Sequence, residues 1–158
     1  EMDERLLDVD QYGVLRVPGM FWLGMAVLVR YWALMLVMLV SAQQAGTIFE
    51  MMGNKVPWLA LAGEAFALAV LIAAGSRQPE AGAVWRWTWK RAHVLVALTA
   101  ACNVAWFTYA STQANWEFTR PQVAMAGFAL LDVCMAWIFV RSAYFRQLFS
   151  EFPERVKQ

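Results

Sequence analysis

The chain has 158 residues, 61% of them hydrophobic and 16% charged, with a net charge of +1 and a mean hydropathy of +0.45. Soluble domains average about 45–50% apolar and ~25% charged residues, so a soluble protein of this size would lack the polar surface to cover itself. The near-neutral balance offers no basic face for nucleic acid. The two cysteines, Cys102 and Cys134, have no CxxC spacing and indicate neither a zinc site nor a disulfide scaffold.

Residues 1–12 are acidic and lack the apolar core of a cleavable signal. The first apolar segment is therefore expected to be the membrane-targeting element. Four apolar runs follow, at about 18–42, 56–75, 87–110 and 121–142. A helix needs ~20 residues to cross a ~30 Å hydrocarbon core, and all four are long enough. Lipid offers backbone groups no hydrogen bonds, so each run should be helical. Strict two-residue alternation is missing, which argues against a β-barrel. Pro18, Pro57 and Pro121 stand near helix starts, where a missing N–H is harmless. After Arg141, Tyr144, Phe145, Leu148, Phe149 and Phe152 recur at helical spacing. They extend the fourth helix to about 149, or form a short interfacial helix ending near Pro153. The expected fold is all-α: one integral membrane four-helix bundle spanning residues 1–158.

Lys and Arg mark the cytoplasmic side of a membrane protein. Arg5, Arg16, Arg77, Arg86, Lys90, Arg91, Arg141, Arg146, Arg155 and Lys157 would share one side, against Lys55 and Arg120 on the other. Ten against two predicts both termini in the cytoplasm. Trp22, Trp58, Trp85, Trp87, Trp106 and Trp116 then fall near the boundaries, as an aromatic belt requires. Small residues at four-residue spacing, Ala65, Ala69 and Ala73 in the second run and Ala97, Ala101 and Ala105 in the third, suggest a close helix crossing.

Three ionisable residues, Arg30, Glu64 and Asp132, lie inside these runs, each flanked by alanines on its own helical face. Arg30 and Asp132 sit roughly 18 Å and 14 Å from the cytoplasmic edge at ~1.5 Å per residue. Glu64 is nearer the outer face. A lone charge at such depth costs about 2.5–3.5 kcal/mol, so the three are expected to share a pocket, where a guanidinium has donors enough for both carboxylates. With one base for two acids, Glu64 is the acid expected by its depth to lose the contest for Arg30, to stay protonated and to tolerate an amide. The cluster reads as a proton or ion relay, or as an ion-paired triad that fixes helix register. Asn103 is a further intramembrane polar residue suited to bonding across helices. His93, the only histidine, lies near the cytoplasmic edge of the third helix, and one His cannot supply both axial haem ligands in a monomer. Nucleotide-loop, zinc-protease, nucleophile-elbow and dinucleotide motifs are all missing. No catalytic residue, metal or cofactor is therefore expected.

The amino-terminal stretch reads Asp10, Gly13, Leu15, Arg16, Pro18, Phe21, Trp22 and Leu23, followed by Arg30 and Trp32. It resembles the opening of the YfeZ-like family of small bacterial inner-membrane proteins, a domain of unknown function. The resemblance implies a multi-pass protein of the bacterial inner membrane and directs attention to Asp10, Gly13, Arg16, Pro18, Phe21 and Trp22; it carries no activity. Physically, Asp10 to Gly13 suits a turn, after which Val14 and Leu15 would dip into the lipid interface while Arg16 meets phosphate. Two functions follow as expectations. One is a non-enzymatic subunit or accessory of a larger membrane assembly, touching membrane lipids and other subunits. The other is a small proton-coupled transporter or channel, homo-oligomeric if so.

Overall fold

A computed structural model describes residues 9–43, 45–52, 55–117 and 119–153. Arg5, Arg155 and Lys157, three of the charges behind the predicted asymmetry, lie outside them. Among the described residues the regular structure is helical, apart from one isolated bridge between Val9 and Leu15. The helices are α1 (Gly19–Leu28), α2 (Arg30–Val40), α3 (Ala45–Met51), α4 (Trp58–Gly75), α5 (Ala83–Lys90), α6 (Ala92–Gln113), α7 (Arg120–Arg141) and α8 (Ala143–Ser150). Three of them, α4, α6 and α7, are each long and apolar enough to cross a membrane. The α1–α2 pair adds a fourth if it is one span, but it bends by 68° at Val29. The apolar exterior agrees: Leu39 and Val40 are 84% and 86% exposed, and Leu130 and Trp137 are also open.

The first run was expected as one helix and forms as two. Val29 leaves the helical region at φ −103° and ψ 19°. The third run starts later than expected, at Ala92, because Arg91 breaks it from the short amphipathic α5. Ser142, at ψ 129°, likewise separates α8 from α7. Both breaks sit where charged and aromatic residues make an interfacial turn more favourable than a longer rod.

α4 and α6 pack most extensively, followed by α6 and α7. The buried α4 face runs through Ala60, Gly63, Ala67, Val70 and Ala73; of the expected Ala65-Ala69-Ala73 row only Ala73 is fully buried. Gly63 is required there: a Cβ on it would land on the Cys102 side chain, and its carbonyl accepts the Thr99 hydroxyl at 2.9 Å. Ala65, Ala101 and Ala105 are exposed. Two hydrophobic clusters fill the ends of the molecule. One gathers Phe21, Met25, Trp89, Phe139 and Phe149. The other gathers Tyr31, Ile48, Met52, Trp106 and Met125. Trp106 is therefore core, 2% exposed, and does not join the expected belt; Trp22, Trp58, Trp87 and Trp116 are exposed.

Candidate functional site

Between those two clusters, on every helix that joins them, lies a polar residue: Arg30, Glu64, Asn103 and Asp132. Glu64, Asn103 and Asp132 are fully buried and Arg30 is 9% exposed. Arg30 Nη1 donates to Asp132 Oδ1 at 2.7 Å and to the Val27 carbonyl at 3.1 Å. Its guanidinium carbon lies 4.8 Å from the Tyr31 ring centroid and 5.2 Å from that of Phe128. Ala60, Ala67 and Ala129 are buried beside the acids, whereas Ala26 and Ala33 are exposed and line an apolar pocket with Arg30.

Glu64 gives up Arg30, as its depth suggested, and takes backbone partners that the sequence did not mark. No ion pair joins it to Arg30 among the described residues. Its Oε1 accepts the Tyr31 backbone N–H at 3.2 Å and its Oε2 that of Trp32 at 3.0 Å. Those are among the first amides of α2, which have no partner within their own helix. A carboxylate at a helix amino end also meets the positive end of the macrodipole. Glu64, reaching from α4, is thus the cap of α2. Asn103 Nδ2 donates to the Leu28 carbonyl at 3.3 Å and to Glu64 Oε1 at 3.4 Å. Leu28 ends α1, so Asn103 caps the carbonyl side of the same break, and Arg30 takes the Val27 carbonyl next to it. Trp32 Nε1 completes the join by donating to the Leu61 carbonyl at 2.9 Å. A break at this depth is tolerated only where protein groups replace the lost helical bonds. Here α4 and α6 supply them. Among the described residues two buried acceptors, Asp132 Oδ2 and Asn103 Oδ1, have no donor.

The amino-terminal motif is not part of this layer. Asp10 builds a tight turn: its Oδ1 accepts the Tyr12 N–H at 2.8 Å, and Gly13 takes φ +73°, which its missing Cβ allows. Leu15 packs on the protein core instead of dipping into lipid. Its N–H donates to Glu151 at 3.0 Å and its carbonyl accepts from Arg77 at 3.0 Å. The Arg16 carbonyl accepts the Tyr144 hydroxyl at 2.7 Å while the Arg16 side chain is exposed. Pro18 precedes α1, Phe21 is fully buried among Trp89, Phe139 and Phe149, and Trp22 packs edge-on to Phe21. The motif therefore ties the chain's beginning to α8. Arg77, read in the sequence only as a loop charge, is the buried pin of that tie. Burial pulls its guanidinium below the ordinary value, with Asp10 and Glu151 opposing. It stacks on Trp89 at 4.8 Å. Nothing in a lone loop arginine signals this. His93 lies apart from the polar layer, half-buried in the first turn of α6.

The chain matches no curated protein and no solved structure. A family described as "Protein of unknown function (DUF2919)" matches residues 5–151, and the chain, covered along nearly its whole length, belongs to that family.

Proposed function

We propose that this protein is a single transmembrane domain, a four-span helical bundle of the bacterial inner membrane with both termini cytoplasmic. We propose that it serves as a non-enzymatic subunit or accessory of a larger membrane assembly. The observation that carries the role is the engagement of Glu64: both its oxygens are taken by backbone N–H groups of α2. A carboxylate committed to capping a helix break is a structural part, not a free coupling group. The polar cavity at the far end of the molecule is lined by Glu50, Ser111, Glu117 and Gln122 and contains neither Glu64 nor Asp132. The charge asymmetry supports the orientation, and the YfeZ-like opening supports the membrane. The test is gentle solubilisation of a tagged chain at native expression. A fixed partner in constant ratio is expected, and proteoliposomes of the purified chain should show no proton flux.

The second reading, a proton-coupled transporter or channel acting as a homo-oligomer, rests on Asp132 Oδ2 and Asn103 Oδ1, which are buried without donors. Proton flux that vanishes in Asp132→Asn and persists in Glu64→Asp would favour it and overturn the accessory role.

A further inference from the structure

Three cationic or ionisable side chains, Lys90 at the end of α5, His93 on α6 and Arg146 on α8, surround a cavity of about 660 Å³ floored by Val140 and Phe149. Among the described residues none of the three has a carboxylate partner. Ser150 adds a hydroxyl at the rim. Two cations without a carboxylate partner among the described residues, Lys90 and Arg146, stand at an open cavity beside the aromatic-rich α5 and α8 and call for an anion.

The cavity does not end at polar residues. Val140 also belongs to an open groove of about 560 Å³ between α6 and α7. Ala97, Ala101 and Ala105 pave one wall, and Val133 and Ala136 the other. These are the same α6 alanines whose spacing suggested a helix crossing. They face the α7 residues Val133 and Ala136 across the groove, and their small size leaves the trough open. His93, Ala97, Ala101 and Ala105 fall at successive four-residue steps, so the cationic cavity and the trough share one face of α6. From His93 to Ala105 the cavity and trough together run roughly 18 Å, a little over half of a ~30 Å hydrocarbon core. Trp137, 64% exposed, flanks it, with the Arg141 guanidinium 5.2 Å from its ring.

We infer that this face binds an anionic phospholipid of one leaflet, its phosphate among Lys90, His93 and Arg146 and one acyl chain in the α6–α7 trough. The charge of the cavity selects an anionic headgroup, and the dry trough that continues from it selects a lipid over a soluble phosphate. Basic pockets between membrane helices recognise headgroups through the same attraction. The inference rests on the membrane reading above.

The experiment is native mass spectrometry of the full chain released from nanodiscs of phosphatidylglycerol and phosphatidylcholine in equal parts. The wild type should retain phosphatidylglycerol preferentially. Lys90→Gln and Arg146→Gln, both at exposed positions, should each lower that preference by about fivefold while leaving the unfolding midpoint unchanged. Ala101→Phe, which fills the trough from an exposed position, should reduce retention of both lipids. No headgroup preference in the wild type, or a preference that survives both charge variants, overturns the site. An alkaline carbonate wash separates the two readings: release of the chain overturns the membrane reading together with the site, whereas retention without lipid preference overturns the site alone.

Discussion

Replacing Glu64 by glutamine is nearly isosteric, yet it should be one of the more damaging single changes in the protein. The carboxylate offers two acceptors to two backbone donors, with Asn103 Nδ2 as a third at 3.4 Å. An amide offers one. If its oxygen faces Trp32, its NH2 confronts the Tyr31 N–H and Asn103; if it faces Tyr31, the NH2 confronts the Trp32 N–H. Either way a buried donor is stranded. A hydrogen bond to a charged group contributes about 1.5–3 kcal/mol, and a stranded buried donor costs about 1–3 kcal/mol. The overlap of these effects gives a loss of roughly 3 kcal/mol. For a chain of this length that lowers the unfolding midpoint by roughly 6–12 °C. The assay is thermal unfolding in a mild detergent, followed by near-ultraviolet circular dichroism, with Glu50→Gln at an exposed position of α3 as the control. A Glu64→Gln midpoint equal to that of the control would refute the capping role and restore the expectation that this acid tolerates an amide.

Three other outcomes are expected. Arg30→Met and Asp132→Leu should each destabilise by about 3–5 kcal/mol, since each strands a buried charge, while the double variant recovers much of the loss; a thermodynamic cycle that is simply additive would contradict the 2.7 Å pair. Gly63→Ala should cost about 1–3 kcal/mol through overpacking against Cys102, and the midpoint should rise again when Cys102→Gly is added. Arg77→Ala should loosen the Leu15 tie and speed trypsin cleavage after the exposed Arg16; an unchanged cleavage rate would mean that Glu151 and Tyr144 hold the segment alone.

The long apolar helices were legible from hydropathy because lipid-length runs leave few alternatives. The three buried charges were legible for the same reason: they stand out against such runs. The break at Val29 was not. No proline or glycine marks it, and β-branched valine continues many helices. What makes the break possible lies far along the chain, in Glu64, 33 residues beyond Tyr31, and Asn103, 75 beyond Leu28, which supply the caps. Depth also marked Glu64 as the acid that would lose Arg30, but not where it would turn instead. Depth along a helix predicts which residues share a layer, but not which of them a carboxylate will choose when unsatisfied amides compete with a guanidinium. The alanine rows held only in part, Ala73 being buried while Ala65, Ala101 and Ala105 are exposed, for a related reason. Regular spacing marks a face, yet alanine leaves an open trough as readily as it forms a close crossing.

The 68° elbow has a consequence for the surrounding bilayer. Its two arms, of ten and eleven residues, measure about 15 Å and 16 Å, so their straight-line reach is about 26 Å. The 22-residue rods beside them extend about 33 Å. If the bent pair is one span, one flank of the molecule is shorter than the ~30 Å of oil it would bridge, and the other is not. Lipids on that short flank would then compress, at a fraction of a kcal/mol for each ångström. A lopsided wedge of this shape dimples its host, settles in thinner bilayers, and gains by placing its short flank against another protein that shares the dent.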